Sequence, residues 1–474
     1  MPEPLLQAGA RLGVVDIGSN TCTLAVYQVG PEGFVDRVWQ RGEALRLIRQ
    51  LGADRMLPGT AQDKVMNLLR SFGKSAREQG VEGLTVVATS AVRDARNGQD
   101  LLDRLAKEGF AVTMLSAEQE GLCAATAAIN TLPVERGFVF DMGGGSLQIA
   151  LVEDRMVQRV TSLQLGALRM TDQFLAGDPP TGPQINALRR HVDAALAEVP
   201  WFGDQGIPLL GIGGSVRAIG KLDRRSRSWP VGHGHGYLLS LDAVETIFEE
   251  TSRLPTALRS ALPGLADHRV DVVVAGALIV ERVMRRMRAA EFRLCHYGIR
   301  EGMALRKVFG VEEPLVPDVR EAGLHGRFPE DPRQRALGDK AGVAAGALLD
   351  RLVGAHPLRW LLVAAARLAA AGGRVPDEPH ASALLSTPLP GFFQEEVLVL
   401  VDLLSPAVGP PRTMDWDDRD RLRSVLELAV DLELEGRWTA EGRRITVDAR
   451  TFKRMPPALV RRFGRVLGVE VDKA

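Results

Sequence analysis

Short apolar runs of strand length recur along roughly the first two thirds of the chain and alternate with longer helical patterns. Leu12–Asp16 and Thr21–Val29 flank the turn Ile-Gly-Ser-Asn, which is typical of a β-hairpin. Leu84–Thr89 and Ala111–Leu115 are further β-rich runs. Strands and helices mixed along one chain predict an α/β fold class.

The alanine-rich segment after the run at 111–115 is predicted to form a helix. Ser116 followed by Gln119 is a capping-box pattern, in which each side chain binds a free backbone N–H of the other residue. Glu120 then falls in the first turn, where an acid also interacts favourably with the helix dipole. Further helices are predicted at Pro183–Glu198 and Asp271–Met287.

The stretch Phe138–Val152, FVFDMGGGSLQIALV, places three glycines and a serine between two strand-like runs. Consecutive glycines weaken a strand, so this turn is expected to have a local task. GVVDIGSNTCTLAVYQV, near the N-terminus, has the same order of apolar strand, Asp, apolar residue, Gly, small polar residues and second strand. The two elements begin at Asp16 and Asp141, which predicts an internal duplication.

Two such hairpins suit the binding of a phosphate group. Backbone N–H groups in a tight turn can form a nest for an anion, and glycine lets phosphate oxygens approach the main chain. The aspartate that ends each strand can orient a divalent cation opposite those oxygens. A plain glycine hairpin with a local Asx turn is the alternative for either copy alone. Two matching copies, with the glycine turn at Gly213–Ser215, favour a phosphate clamp.

The character of the chain changes after Lys307. A Pro- and Gly-rich stretch that ends at Gln334 is predicted to be a linker, and residues 335–404 are predicted to be mostly helical. The tail from Asp415 contains patterns for a helix, a hairpin and a last amphipathic segment. The predicted domains are residues 1–130, 131–311, 312–410 and 411–474.

Composition and charge exclude several classes of protein. The 474 residues are 45% hydrophobic, as expected of a folded chain with several domains. The formal net charge is zero, so the whole chain has no electrostatic signature of a nucleic-acid or membrane binder. Three widely spaced cysteines fit neither a disulfide framework nor a zinc site, and the N-terminus lacks the pattern of a signal peptide. A cytoplasmic protein is therefore expected.

Eight short motifs occur in a specific order between residues 12 and 307. They are DIGSNT (Asp16–Thr21), TSAVRDARN (Thr89–Asn97), SAEQEG (Ser116–Gly121), DMGGGS (Asp141–Ser146), GIGGS (Gly211–Ser215), HGYLL (His235–Leu239), DHRVDVVVAGALI (Asp267–Ile279) and GIREGM (Gly298–Met303). Together they resemble the exopolyphosphatase and guanosine pentaphosphate phosphohydrolase (Ppx/GppA) family of the actin/hexokinase/sugar-kinase superfamily. The resemblance implies two ribonuclease-H-like, actin-like lobes around a central cleft.

The resemblance also implies roles for residues at the matching positions. Glu120 matches the family's general base, which deprotonates or orients the attacking water, and Arg93 matches an arginine that pairs with phosphate oxygens. Asp16 and Asp141 match carboxylates associated with Mg²⁺ (or Mn²⁺), and Asp141 is also a catalytic candidate. The positions that match the phosphate-binding turns are Gly18, Ser19, Asn20, Thr21, Gly143, Gly144, Gly145, Ser146, Gly213, Gly214 and Ser215.

The chain departs from the family pattern after the second hairpin. The family usually reads GGGSTE, whereas this chain reads GGGSLQ, with Leu147 for a threonine and Gln148 for an acid associated with catalysis. Gln148 remains a catalytic candidate, although an amide neither accepts a proton as a base nor adds negative charge for a metal. Slower turnover, altered metal dependence or a shifted substrate preference is predicted.

The C-terminal region resembles the helical domain of longer family members, which is related to metal-dependent HD phosphohydrolases. Ala369 and Ala370 occupy the positions expected for the His-Asp pair. The resemblance therefore implies a degenerate HD-like domain without its own catalysis, followed by a small α+β segment. This domain is expected to help form a basic channel or a contact between two copies of the chain in a homodimer.

The leading functional hypothesis is an exopolyphosphatase that removes terminal orthophosphate from inorganic polyphosphate by Mg²⁺-assisted attack of water. Hydrolysis of the 5′ phosphate of guanosine pentaphosphate (pppGpp) is a second hypothesis that uses the same residues. A kinase of the same superfamily and a noncatalytic polyphosphate or alarmone binder are less favoured. The binder hypothesis is motivated by Gln148.

Overall fold

The computed structural model shows a chain that divides into two compact units. The first unit contains residues 1–229 and 234–322, and the second contains residues 230–233 and 323–474. The residues that the structure describes are 4–30, 33–52, 54–313, 315–326, 332–371, 378–405, 416–435, 438–441, 443–447, 455 and 457–473.

The first unit begins with a five-stranded sheet in the order β3-β2-β1-β4-β5. Its strands are β1 Arg11–Ile17, β2 Thr21–Val29, β3 Val35–Ala44, β4 Leu84–Ala88 and β5 Val112–Met114. The strands β1, β2 and β3 pair antiparallel, whereas β4 and β5 run parallel to β1. The helices of this half are α1 Leu47–Gln50, α2 Gly59–Glu78, α3 Ser90–Asp94, α4 Gly98–Lys107 and α5 Ala117–Ile129.

The second half of this unit contains a six-stranded sheet in the order β10-β11-β9-β6-β7-β8. Its strands are β6 Gly137–Met142, β7 Leu147–Glu153, β8 Met156–Leu163, β9 Leu209–Ile212, β10 Leu238–Ser240 and β11 Glu291–Leu294. The helices are α6 Ala167–Phe174, α7 Gly182–Ala197, α8 Gly214–Ser226, α9 Leu241–Arg253, α10 Thr256–Arg259, α11 Val273–Arg286 and α12 Ile299–Phe309. A short 3₁₀ helix, Asp267–Arg269, precedes α11.

The two sheets share one strand plan. In each, three antiparallel strands are followed by two strands parallel to the first of them, since β6, β9 and β11 correspond to β1, β4 and β5. The second sheet adds an edge strand, β10, which pairs antiparallel with β11. Asp16 pairs with Thr23 across β1 and β2, and Asp141 pairs with Gln148 across β6 and β7. This agreement supports the duplication that the two aspartate-led hairpins predicted.

The predicted strands are buried because their apolar residues pack against helices. Val14, Val15, Phe138 and Phe140 are all 0% exposed. The capping box of α5 forms as predicted: Gln119 N donates to Ser116 Oγ at 3.1 Å, and Ser116 N donates to the Gln119 side-chain oxygen at 2.9 Å. The helix therefore starts at a fixed point and holds Glu120 in its first turn.

The second unit is mainly helical, with a small sheet in the order β12-β13-β14. The helix α13, Val319–His325, contains the boundary between the units. The elements that follow are α14 Pro332–Leu352, α15 Arg359–Ala371, α16 Glu378–Ser386, α17 Gln394–Leu404, α18 Trp416–Glu435, β12 Trp438–Glu441, β13 Arg444–Val447, α19 Pro457–Leu467 and β14 Glu470–Lys473.

Two features of this region differ from or extend the sequence prediction. The stretch predicted to be a linker contains α13, because Val319, Ala322 and Leu324 supply buried apolar side chains that a solvated linker lacks. Ala369 and Ala370 are buried in α15, in the apolar core of the second unit. The predicted boundary at residue 410 lies outside the described residues, and the four-domain division stays a prediction.

Within the described segments, no helix combines the length and apolar character needed to cross a membrane.

Candidate active site

The first aspartate-led hairpin is held in place by the start of α1. Its turn closes with a hydrogen bond from Gly18 N to Thr21 O at 3.1 Å. The carbonyls of Ser19 and Asn20 accept hydrogen bonds from Ile48 N at 3.2 Å and Arg46 N at 2.8 Å. Ser19 and Asn20 are buried, so the polar tip of this hairpin faces the interior.

The second hairpin is held in the same way by the start of α6. Gly143 N donates to Ser146 O at 3.0 Å, and the Gly143 carbonyl accepts from Ala167 N at 3.1 Å. Arg169 donates through Nε to the Gly145 carbonyl at 2.8 Å and pairs with Asp94 of α3. In each hairpin, backbone carbonyls of the turn therefore accept hydrogen bonds from N–H groups at the start of a helix.

The tips of the two hairpins pack directly against each other. A Cβ on Gly144 would lie 3.1 Å from Asn20 Cβ, and one on Gly145 would lie 2.8 Å from Ser19 Oγ. A Cβ on Gly166 would overlap the backbone of Gly144 and Gly145. The sequence predicted that these glycines make room for phosphate, and the structure adds that they make room for the opposite hairpin.

A cavity of about 110 Å³ opens where the hairpins meet. It is lined by residues from both halves of the first unit, among them nearly all the predicted site residues. Those in the lining are Asp16, Gly18, Ser19, Asn20, Thr21, Glu120, Asp141, Gly143, Gly144, Gly145, Ser146, Gln148, Gly213 and Gly214. The spatial arrangement that the repeated motif predicted is therefore present.

Asp16 and Asp141 are buried at this cavity and influence each other. Burial raises the pKa of Asp141 to about 6, with Arg217 acting in the opposite direction and the charge of Asp16 raising it further. Burial likewise raises the pKa of Asp16. Among the described residues, Asp16 Oδ1 and both amide atoms of Asn20 have no hydrogen-bond partner. Buried polar atoms without partners are costly, so they fit a site that takes a ligand.

These two carboxylates fit a divalent cation that takes the rest of its ligands from outside the protein. The described residues contain no group of three or more His, Cys, Asp or Glu side chains arranged for a metal. Mg²⁺ is commonly bound by one or two carboxylates together with waters and substrate phosphates. Asp16, with its free Oδ1, and Asp141 suit that mode better than a closed protein cage.

Glu120 reaches the cavity from the first turn of α5 and is 3% exposed. Its Oε1 binds Nη1 of Arg93, and its Oε2 accepts a hydrogen bond from Gln148 Nε2 at 3.1 Å. Burial raises the pKa of Glu120 to about 7; Arg93 lowers it, while Asp16 and Asp141 raise it. A carboxyl group with this pKa accepts and releases a proton near neutral pH.

Two predicted site residues lie behind the cavity surface. Arg93 binds Glu120 and the Leu115 carbonyl (2.8 Å), so its predicted contact with phosphate stays a prediction. Ser215 is buried in the first turn of α8, packed against Gly276 of α11. Gly213, just before it, has a φ of +112°, and a Cβ there would overlap the Met142 backbone, so this turn requires glycine.

Three arginines and a glutamate also line the cavity although no role was predicted for them. They are Arg217, Arg269, Arg300 and Glu301. Burial lowers the pKa of both Arg217 and Arg269 to about 10, and the charges of neighbouring arginines contribute to the lowering. Glu301 accepts from Tyr27 Oη at 2.7 Å and from Gly298 N at 2.8 Å. The amino-acid sequence pointed to these four residues only in that they lie in or near three of the eight motifs.

The cavity therefore combines cations for an anionic ligand, carboxylates for a metal and one candidate base. The model of the Ppx/GppA phosphatase family matches residues 25–309, which is more than half of the chain and includes the second hairpin. The chain belongs to the Ppx/GppA phosphatase family. This confirms the resemblance drawn from the eight motifs. Apart from residues 230–233, the second compact unit lies beyond the matched residues.

Curated relatives of this Ppx/GppA protein include two from Mycobacterium tuberculosis. Exopolyphosphatase 1 is 32% identical over 304 residues, covering 63% of this chain and 88% of that protein. Exopolyphosphatase 2 is 26% identical over 318 residues, covering 62% of this chain and 98% of that protein.

Two solved structures share their fold with nearly two thirds of this chain. The Aquifex aeolicus family member matches with a TM-score of 0.56 and 26% identity, covering 63% of this chain and 98% of that one. An exopolyphosphatase from Cytophaga hutchinsonii matches with a TM-score of 0.59 and 22% identity. The match covers 64% of this chain and 100% of that one. Two sheets with flanking helices, as in the predicted actin-like lobes, are thus the family fold.

Proposed function

We propose that this Ppx/GppA protein is an exopolyphosphatase, which hydrolyses the terminal phosphoanhydride bond of inorganic polyphosphate. The observation that carries the proposal is that both hairpins, Asp16, Asp141 and Glu120 line one cavity. The names of the M. tuberculosis relatives support the same activity.

The reaction would need positioning and charge neutralisation more than covalent chemistry by the protein. The N–H groups of the two hairpin tips and the amide of Asn20 bind the terminal phosphate. Glu120 accepts a proton from a water molecule as the water oxygen forms a bond to the terminal phosphorus. The bond from that phosphorus to the bridging oxygen breaks, so the products are orthophosphate and a chain one phosphate shorter.

A divalent cation, Mg²⁺ or Mn²⁺, is part of the proposal and would be held by Asp16 and Asp141. When bound, it would neutralise charge on the phosphate oxygens. The chain's own contribution is to keep two carboxylates buried beside the hairpins, with Asp16 Oδ1 free of protein partners in the described residues. Titration of the purified protein with each cation, followed by thermal unfolding, would measure binding without turnover.

A basic stripe on α8 favours a long polyanion over pppGpp as the substrate. The stripe consists of Arg217, Lys221 and Arg225, which are four residues apart and so lie on one helix face. Arg217 lines the cavity, while Lys221 and Arg225 are exposed. A Cβ on Gly264 would lie 3.2 Å from a side-chain carbon of both exposed residues, so they are side by side. The stripe extends about 12 Å from the cavity toward solvent.

Phosphate release by the purified protein, with polyphosphate and with pppGpp, tests the activity. Glu120→Gln should lower release at least 100-fold because the amide cannot accept the proton. Equal loss with both substrates would indicate one shared site. Retained activity in this variant would overturn the proposed mechanism. Activity of the wild type on pppGpp alone would overturn the proposal that polyphosphate is the substrate.

The stripe has its own test. The double change Lys221→Glu and Arg225→Glu should raise KM for long polyphosphate about tenfold while leaving hydrolysis of tripolyphosphate unchanged, because a short chain does not reach it. Arg190→Glu, an exposed charge reversal on α7, is the matched control. An equal effect on long and short chains would rule the stripe out.

The finer features of the second unit belong to the same proposal. A degenerate HD-like fold is supported by Ala369 and Ala370 at buried positions of a helix, where a metal site would need His and Asp.

The three cysteines, which are buried and form no disulfide, support a reducing cytoplasm. A homodimer is a further prediction, and sedimentation of the full chain would test it.

A further inference from the structure

Gln148 occupies a position from which it reaches the candidate base. It lies on β7, directly across from Asp141 on β6, and is 3% exposed. Its Nε2 donates to Glu120 Oε2 at 3.1 Å and lies 2.8 Å from Ser146 Oγ and 3.3 Å from Ser162 Oγ. Arg93 binds the other oxygen, Oε1. Both oxygens of Glu120 therefore have a donor on the protein.

The chemistry of this contact depends on the amide at residue 148. An amide NH₂ stabilises an ionised carboxylate by donating to it, whereas a second carboxylate at the same distance would repel it or share its proton. The amide and the acid have nearly the same shape, so the backbone of β7 would accept either. The Gln148 side chain thus changes the charge around Glu120 without changing its position.

The local packing leaves Gln148 little freedom to move away. Gly121 follows Glu120 in α5, and a Cβ there would lie 3.2 Å from Gln148 Cβ and also meet Val160 of β8. The glycine lets α5 approach β7 closely. The distance between Glu120 and Gln148 is therefore set by the backbone packing of a helix on a sheet.

We propose that Gln148 is a positioning residue, which with Arg93 clamps the Glu120 carboxylate in the ionised form and aims it at the attacking water. The proposal rests on the proposed function only in taking Glu120 as the base. It assigns the glutamine a task of its own in place of the acid of the family pattern.

The other charged groups around Glu120 come from several elements. Arg93 belongs to α3, Asp16 to β1 and Asp141 to β6, and α12 contributes Arg300 and Glu301 to the same cavity. Two of these acids disfavour a charged Glu120. A donor on Oε2 offsets that repulsion in part, which is why its loss should be measurable.

Kinetics with polyphosphate provide the first test. Gln148→Met, which keeps the length and removes the donor, should lower kcat about tenfold with KM nearly unchanged. Gln148→Glu should move the pH of half-maximal kcat upward by about 1 unit or more, because a like charge would face Glu120. Ser162→Ala removes another neighbour of the same amide nitrogen and should change kcat less than about twofold.

The second test does not require turnover, so it separates this proposal from the proposed function. Thermal unfolding is measured from pH 5.5 to 8.5 without metal or phosphate for the wild type, Gln148→Met, Glu120→Gln and the double variant. The loss of stability caused by Gln148→Met should grow with pH, because the ionised form of Glu120 is the form that needs the donor. In the Glu120→Gln background, the loss should be independent of pH.

Two results would overturn the clamp. One is a Gln148→Met variant with wild-type kcat and an unchanged pH profile. The other is a stability loss with the same pH dependence in both backgrounds. If the wild type hydrolyses no polyphosphate but the unfolding data behave as expected, the clamp stands and the proposed function fails.

Discussion

The two aspartate-led hairpins have the same backbone plan but contribute different things to the cavity. The first brings polar side chains, Ser19 and Asn20, into the interior. The second brings Gly144 and Gly145, which leave room for them. The two hairpins are therefore complementary: the first contributes polar side chains to the site, and the second has glycines against which those side chains pack.

The difference extends to the residue seven positions after each aspartate. Thr23 pairs with Asp16 and lies toward β3, since a Cβ on Gly42 would be 2.9 Å from Thr23 Oγ1. Gln148 pairs with Asp141 and reaches Glu120 on α5. The same register position therefore packs against a neighbouring strand in one half and holds the candidate base in the other.

The packing of the hairpin tips gives the largest expected effect. Gly166→Ala should destabilise the protein by about 1–3 kcal/mol and lower activity at least 100-fold, because the new methyl group would overlap the backbone of Gly144 and Gly145. Chemical denaturation and phosphate release would measure the two losses.

Gly182→Ala, at the start of α7 and outside the cavity lining, is the matched control for this prediction. A Cβ there would meet no atom within 4 Å, so both stability and activity should stay near wild type. If alanine were tolerated equally at both positions, the close contact between the hairpins would not be needed for the site.

The candidate base beside the second hairpin predicts a pH dependence of catalysis. Because burial raises the pKa of Glu120 to about 7, kcat/KM should fall about tenfold for each pH unit below 7 as the carboxylate is protonated. A pH–rate profile at saturating metal measures this. A flat profile between pH 5 and 7 would contradict the assignment of Glu120 as the base.

Stability should change in the opposite direction. A folded-state pKa above the ordinary value of 4.5 means that the folded protein binds the proton more tightly, so this contribution to stability is present at low pH and is lost as the pH rises through about 7. Glu120→Gln removes it, and the variant should gain in Tm relative to wild type as the pH is raised from 5 to 8.

Asn20 in the first hairpin is expected to favour substrate binding while lowering the stability of the folded protein. Asn20→Ala should raise KM about tenfold because the amide lines the cavity that is proposed to hold the terminal phosphate. Tm should stay unchanged or rise, because the buried amide has no partner among the described residues. Steady-state kinetics and thermal unfolding of one preparation give both numbers.

Asn130→Ala provides the contrast with Asn20→Ala. Asn130 donates to Thr126 O at 2.8 Å and accepts from Val316 N at 2.5 Å. Its loss should cost about 1–3 kcal/mol of stability and leave KM unchanged. A Tm loss as large for Asn20→Ala would mean that Asn20 has a structural role.

The hairpins, and the place of Glu120 in the first turn of a helix, could be predicted because their signals are local, whereas the role of Glu120 as the base came only from the family resemblance. An aspartate at the end of an apolar strand, a glycine turn and a capping box each lie within a few residues. Arg217, Arg269 and Arg300 could not be assigned in this way, since they come from separate helical segments. Apart from lying in or near three of the eight motifs, they have no local feature that distinguishes them from the other basic residues. The contact of Arg93 with Glu120 depends on how α3 packs beside α5, which no local pattern encodes.

The smallest predicted effect concerns the ion pairs that join the two halves beside the first hairpin. Arg49, in α1, binds Asp172 of α6 at 2.7 Å and Asp271 at 2.6 Å. These groups are partly exposed, so each pair is expected to contribute less than about 1 kcal/mol and to weaken with salt. Arg49→Gln should therefore raise KM only about two- to threefold at low salt, by loosening the support of the Ser19 and Asn20 carbonyls.

The salt dependence decides whether this link between the halves matters. The difference in KM between wild type and Arg49→Gln should disappear at about 0.5 M salt, where exposed charges are screened within a few ångströms. Arg41→Gln, which removes a pair with Glu43 inside the first half, should leave KM unchanged at every salt concentration. If both variants behaved alike, the contacts between the halves would have no special part in holding the first hairpin, and the α1 backbone alone would position it.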